Sequence, residues 1–204
     1  MIDTETTGFS PRTGDRVIEI AVVRLDGDGE VVDTWETLLN PGRPVGPTHV
    51  HGLTAADVEH APRFPEVAEH VAALLAGRVV VGHNVDFDLR FLENEFRLSQ
   101  FPFRVPGRLC TQQLAKAHLP GPKRTLAVCC EQAGVINEHA HSALGDTLAT
   151  AELFRFFLRQ HPAGVPWVDV LAAAALAAPA DDLFAELFDV GLTAPRTLSR
   201  SALA

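Results

Sequence analysis

Asp3 and Glu5 stand two positions apart at the head of the chain, Asp86 and Asp88 repeat that spacing near the middle, and His141 precedes Asp146 by five positions. Carboxylate oxygens are the ligands that hard divalent cations such as magnesium prefer. Two such cations about 3.5–4 Å apart neutralise phosphoryl oxygens, make a hydroxide at neutral pH and stabilise a departing sugar oxygen. The chemistry that suits this set is metal-assisted cleavage of a phosphodiester. A proton acceptor is also needed, and an imidazole, with its ordinary pKa near 6.5, can take a proton from an attacking water. His139 is a rival in the same stretch, but the spacing to Asp146 favours His141.

Positioning these groups makes demands on local structure. On an extended strand, residues two apart point to one face, so Asp3 and Glu5 can aim both carboxylates at a single spot. Five positions along an ideal helix is a rotation of roughly 140°. Asp146 is therefore expected in a first helical turn, with His141 on the loop before it.

The run Ile2-Asp3-Thr4-Glu5-Thr6-Thr7-Gly8, then His83-Asn84-x-x-Phe87-Asp88, then His141-x-x-x-x-Asp146 resembles the three exonuclease motifs of the DnaQ-like 3′-to-5′ exonucleases. That superfamily uses four acidic residues and a fifth that is His or Tyr; the chain has 0 Tyr, which leaves the His subtype. Val50-His51-Gly52-Leu53-Thr54 is similar to the family's segment beside the terminal nucleotide. The resemblance covers about residues 1 to 160 and implies a ribonuclease-H-like α/β fold, a mixed five-stranded sheet flanked by helices. It also implies a 3′-to-5′ exonuclease with two divalent cations, Mg²⁺ or Mn²⁺, acting on the single-stranded 3′ end of DNA or RNA. Asp3, Glu5 and Asp146 would hold the first cation, Asp3 would bridge to the second, and Asp88 would support that one through water. Asp88 is preferred to Asp86 because the family pattern puts the ligand after the Phe; Asp86 then reads as a helix cap. Thr6, Thr7 and Gly8 would bring backbone close to the last nucleotide. Phe9, His51 and Phe87 are candidates to line or wedge its base, because single-stranded ends are commonly held by stacking, and Phe87 also fits the core. Asn84 joins the substrate-binding set. The opening motif and the His-Gly-Leu-Thr segment favour DNA, in proofreading or repair, over RNA processing. A catalytically idle nucleic-acid-binding or adaptor module is the competitor from another class.

The rest of the chain supplies the frame. Val17 to Leu25 and Val31 to Leu39 read as paired strands around Asp26-Gly27-Asp28-Gly29-Glu30. Thr54 can cap a short helix through Val58, and Pro65 suits the first turn of one reaching Leu75. Val79-Val80-Val81 reads as a buried strand, followed by a helix capped by Asn84 or Asp86. Further helices are expected at about Thr111 to His118, Thr125 to Ala133 and Ser142 to Gln160. Only Met1 and Ile2 precede Asp3, where a strand usually has about five or six residues, so the first strand reads as shortened. A few added upstream β-formers are expected to raise the melting temperature.

At 204 residues the chain can hold one well-buried domain, 1–160, and an Ala/Pro-rich extension, 161–204. The extension is expected to form helices at Trp167 to Ala177 and Asp181 to Phe188, with a disordered end. Asp181-Asp182-Leu183-Phe184 resembles the end of bacterial sliding-clamp-binding peptides, which points to a polymerase or clamp partner; docking back on the domain is the plainer reading. No apolar run reaches the ~20 residues of a membrane span, and no secretory leader pattern is present, so a cytoplasmic protein with no membrane contact is expected. Cys110, Cys129 and Cys130 lack a ligand spacing and read as core thiols. The net charge of −9 is unusual for a binder of polyanions, yet residues 97–130 contain no acid and six bases, leaving −15 on the remainder. That segment is either a phosphate-tracking edge or an Arg-rich solvated surface.

Overall fold

The computed structural model describes residues 1–161, 164, 166–177 and 197–199. The chain opens with β1 (Ile2–Thr6), a 3-10 turn (Pro11–Thr13), β2 (Val17–Leu25) and β3 (Val31–Leu38). Short helices α1 (Thr48–His51) and α2 (Ala55–Val58) lead to α3 (Phe64–Leu75), β4 (Val79–Gly82), α4 (Val85–Leu98) and β5 (Gly107–Cys110). Helices α5 (Thr111–His118), α6 (Leu126–Ala133), α7 (Ala143–Arg159) and α8 (Val168–Ala177) complete the described elements.

β1, β2 and β3 form an antiparallel ladder in that order, and β4 pairs in parallel with β5. The two ladders abut at β1 and β4, where a Cβ on Gly82 would stand 3.2 Å from the Ile2 carbonyl oxygen. The five strands thus form two hydrogen-bonded ladders, one antiparallel and one parallel, where the resemblance implies a mixed five-stranded sheet. β1 pairs with β2 from Ile2↔Val22 to Thr6↔Val17, while Arg24 and Leu25 of β2 pair with β3 alone. Met1 adds to the ladder: its ammonium donates to the Val23 carbonyl at 2.6 Å, and burial pushes that amine down to about 5.

Helices cover both faces. Ile2, Ile20 and Val22 pack against Val67 and Val71 of α3 and Phe91, Leu92 and Phe96 of α4. Val23 and Val81 pack on the other side against Cys129 of α6 and Leu153 and Phe157 of α7. Deleting one of the buried phenyl rings would cost about 3–5 kcal/mol, so these two cores dominate stability. Cys129 and Cys130 are buried free thiols, as their spacing suggests, while Cys110 is half-buried.

Most sequence-derived boundaries agree within a residue or two. β5 and α1 escaped the pattern reading, because β5 is four residues with one exposed Arg and α1 is a single turn. Asn84 stands at the cap position of α4 but adopts φ +73° and makes no side-chain cap bond, so it turns the chain rather than capping the helix. In the extension, α8 follows Trp167, whose ring meets Phe154 at 5.6 Å. Leu198, in the stretch expected to be disordered, lies against the edge of β3, where the Leu38 amide donates to its carbonyl at 2.7 Å. The clamp-like segment 181–184 and the helix expected at 181–188 lie outside the described residues. Among the described residues no helix is long and apolar enough to cross a membrane.

Candidate active site

The alternation of β1 does what its sequence requires. Ile2, Thr4 and Thr6 are buried, while Asp3 and Glu5 share the other, half-open face. Helix α7 begins beside that face, and Asp146 in its first turn is brought to them. Oxygens of Asp3, Glu5 and Asp146 all lie within 4.8 Å of one another. Enclosure by protein, then the negative charges of Asp88, Asp146, Glu5 and Glu19, hold the Asp3 carboxyl well above the usual carboxylate range. Four other acids thus act on Asp3, and among the described residues no cationic side chain offsets them, the arrangement expected when a cation is to supply the missing charge.

The donor set fits a hard cation. All three groups offer carboxylate oxygen, and Mg²⁺ holds its oxygens at about 2.1 Å, so ligands across it lie about 4.2 Å apart. Oxygens within 4.8 Å of one another need only a small side-chain rotation to close on such an ion.

Asp88 approaches from α4 on the opposite face of β1. Its Oδ1 accepts the Thr4 hydroxyl at 2.7 Å, and burial pushes its carboxyl up to about 7 despite that bond. It influences Asp3 through charge but is not one of the three converging ligands. Asp86 is exposed and paired with Arg108 at 2.7 Å, so the structure separates the two acids. His83, the first residue of the middle motif, bridges β4 to α5: Nδ1 lies 3.0 Å from the Thr111 hydroxyl and Nε2 donates to the Arg124 carbonyl at 2.7 Å.

His141 lies on the loop before α7, exposed and at φ +66°. Its backbone N–H donates to Asp146 Oδ2 at 3.3 Å, which ties the candidate base to the candidate ligand. Gly145 lets this loop pack down, because a Cβ there would meet the His139 carbonyl oxygen at 2.1 Å. The rival His139 is exposed in the same loop, and its carbonyl accepts the Ser142 hydroxyl.

The substrate-facing candidates separate into two groups. Phe9 is 83 % exposed and projects just past the opening motif, free to meet a base. Asn84 is exposed, and Phe87 is half-buried with its ring 5.0 Å from Phe91 and the Arg90 guanidinium above it. His51, in contrast, is 1 % exposed at the end of α1, and its Nδ1 accepts the Leu53 amide, so in this conformation it supports the segment rather than facing solvent. The Thr6 hydroxyl donates to the Gly8 carbonyl, and Thr7 takes the Arg16 amide. Gly8 is demanded by Asp15, whose carboxyl would lie 2.5 Å from a Cβ at position 8. Burial raises the Asp15 carboxyl, but bonds from the Ser10 amide and the Thr13 and Thr7 hydroxyls, with Arg43 nearby, outweigh it and leave the group below its ordinary value.

Three positioning residues have no motif. Asn137 donates to Asp146 Oδ1 at 2.6 Å, so both oxygens of that ligand are oriented. Glu19, opposite Glu5 on β2 and 1 % exposed, accepts the Ala143 amide at the start of α7. Glu95 is equally buried and receives Arg16 through two bonds of 2.7 and 2.6 Å, joining the opening loop to α4. An acid inside the apolar run Val17–Val23 was a readable signal for Glu19, since a buried carboxylate needs a partner. Of the bases in 97–130, Arg108 is paired with Asp86 and Arg124 is bonded to the carbonyls of Leu119, Pro120 and Lys123.

Known proteins resemble this chain over most of its length. Residues 1–154 match the family model described as exonuclease. A "DNA polymerase III subunit epsilon-like protein" of Rhodobacter capsulatus is 38 % identical over 159 residues, 76 % of this chain and 23 % of that protein. The "3'-5' exonuclease DinG" of Bacillus subtilis is 32 % identical over 158 residues, 76 % of this chain and 17 % of that protein. The chain thus spans about a quarter or less of the length of these relatives. A solved structure of Exonuclease X in complex with 5′ overhanging duplex DNA superposes with a TM-score of 0.65 at 27 % identity, covering 85 % of this chain and 97 % of that one.

Proposed function

This chain belongs to the exonuclease family, within the DnaQ-like 3′-to-5′ superfamily, and on that premise we propose that it is a divalent-metal-dependent 3′-to-5′ exonuclease that removes nucleoside monophosphates from DNA 3′ ends. The observation that carries the reading is the convergence of Asp3, Glu5 and Asp146 oxygens within 4.8 Å, with Asp88 behind Asp3. Bound Mg²⁺ or Mn²⁺ would supply Lewis acidity and lower the pKa of water toward neutrality. Asp3, Glu5 and Asp146 would hold the first cation, and Asp3 would also serve the second, which Asp88 would support through water. His141 would take the proton of the attacking water, close to the metal ligand to which its own backbone is bonded. Thr6, Thr7 and Gly8 would line the terminal nucleotide, and Phe9, with Phe87 and Asn84 near it, would hold or part its base.

DNA is favoured because the 38 % identical relative is named for DNA polymerase III and the 27 % identical neighbour is a DNA complex. Proofreading or repair trimming, in association with a polymerase or its clamp, is the corresponding cellular role. The test is digestion of matched single-stranded DNA, mismatched-end duplex and RNA oligonucleotides with Mg²⁺, Mn²⁺ or chelator. Stepwise loss from the 3′ end of DNA, abolished by chelator, is expected. Chelator-resistant cleavage would overturn the metal reading, and preference for RNA the substrate reading. No cleavage of any substrate would leave the adaptor reading.

A further inference from the structure

A cleft of about 730 Å³ lies between the Pro11–Thr13 turn and the outer face of α4, lined by Ser10, Arg12, Arg90, Asn94 and Arg97, with Glu93 as its one acid. Its two walls both lead back to the active site. The turn begins three residues after Gly8, and α4 carries Asp88 two positions before Arg90. Arg90 and Arg97 are seven positions apart, two helical turns, and so share one stripe of α4.

Their gathering in one cleft, not the lack of a carboxylate partner that Arg63, Arg78, Arg104, Arg124 and Arg159 share among the described residues, sets these arginines apart. In this acidic chain Arg16, Arg24, Arg43, Arg108 and Arg155 are each ion-paired with a carboxylate. Among the described residues Arg12, Arg90 and Arg97 have no carboxylate partner: Arg90 bonds the Asp86 carbonyl and Arg97 the Asn94 amide oxygen. Phe87 holds Arg90 from below, with its ring centroid 5.8 Å from the guanidinium carbon. A concave surface with three guanidiniums that lack a carboxylate partner and with hydroxyl and amide groups beside them, next in sequence to the 83 % exposed Phe9, fits a phosphodiester backbone.

We propose that this cleft binds the phosphates of the substrate strand upstream of its 3′ end, with Arg12, Arg90 and Arg97 as the contacts. The proposal rests on the nuclease reading, and of the six bases in the 97–130 segment it keeps only Arg97, moving the phosphate track to the face between the opening loop and α4. Its consequence is length dependence: a dinucleotide fills the metal site without reaching the cleft, and a longer strand uses both.

The experiment compares wild type with the triple variant R12A/R90A/R97A and the matching triple Lys variant on single-stranded DNA of two and twelve nucleotides. For the Ala triple, KM on the 12-mer should rise about tenfold or more, with kcat/KM on the dinucleotide within twofold of wild type. Single strands contribute a salt slope of about 0.7 per phosphate contact, so loss of three contacts should flatten the log–log salt dependence of 12-mer binding by about 2. The Lys triple should keep most of that slope. Equal losses on both lengths, or an unchanged slope, would overturn the proposal. Fluorescence anisotropy of a labelled 12-mer in chelator reads the cleft without catalysis. An inactive wild type whose 12-mer binding still depends on the three arginines would therefore reject the nuclease reading alone.

Discussion

The two ends of the active site are built in opposite ways. On the β1 side, Asp3 and Glu5 are held by a ladder of strand pairs, with Thr4 and Thr6 buried behind them. On the α7 side, His141 sits on an exposed loop at φ +66°, tied down by an amide bond to Asp146, the Asn137 side chain and the packing of His139 on Gly145. The difference fits the roles proposed for these groups. Crowded carboxylates repel, so only a rigid strand can keep them converged before a cation arrives, whereas a proton acceptor must reach a water whose position depends on the substrate. On the proposed roles, the site would pair a cage of carboxylates set on a strand with a base carried on an exposed loop.

That contrast yields separable expectations. Removing the cage should do most damage: Asp3→Ala or Asp146→Ala should lower kcat by three or more orders of magnitude, with Mn²⁺ affinity lost as judged by calorimetry. Near-native turnover by either variant would break the assignment. His141→Ala should cost about 10²–10⁴ in kcat, the usual range for a general base, while Mn²⁺ affinity stays within about threefold of wild type. A parallel loss of metal binding would mean that the loop belongs to the cage.

Smaller effects should come from the braces. Asn137→Ala and Glu19→Ala should each raise the metal concentration needed for half-maximal rate by about 10–100-fold, as groups behind metal ligands commonly do. Glu19→Gln, which keeps an acceptor for the Ala143 amide, should recover most of the Glu19→Ala loss. If Gln behaves like Ala, the charge of Glu19 matters and the positioning account fails.

The smallest effect is thermodynamic. The folded Asp88 carboxyl is pushed up to about 7 by burial, from an ordinary value of 3.8. The native state therefore binds this proton where the unfolded chain has released it, so stability without metal falls as pH rises through that interval. In chelator, the melting temperature should drop by several degrees between pH 5 and pH 8. Saturating Mn²⁺ should raise it more at pH 8 than at pH 5. A metal-free protein that gains stability over the same range would contradict the burial of this acid.

The sequence disclosed the cage more fully than its supports. Period-two placement of Asp3 and Glu5, and the demand that Asp146 open a helix, are local consequences of backbone geometry and hold in three dimensions. Glu19 reaches a residue 124 positions away, and Asn137 reaches Asp146 nine positions on through an irregular loop, and no periodic pattern announces either bond. His51 shows the converse: its motif suggested a base-facing ring, but the turn of α1 folds it into the interior. Asn84 looked like a cap by residue type, yet its left-handed backbone makes it a hinge into α4. Residue type was informative where a single element decides the outcome, and weaker where tertiary packing does.

The convergence of carboxylates around a cation can be tested directly by anomalous diffraction from crystals grown with Mn²⁺. The account predicts a manganese peak within about 2.5 Å of oxygens from Asp3, Glu5 and Asp146 together, at the coordination distances expected of such ions. Manganese bound elsewhere, or touching just one of the three, would contradict it.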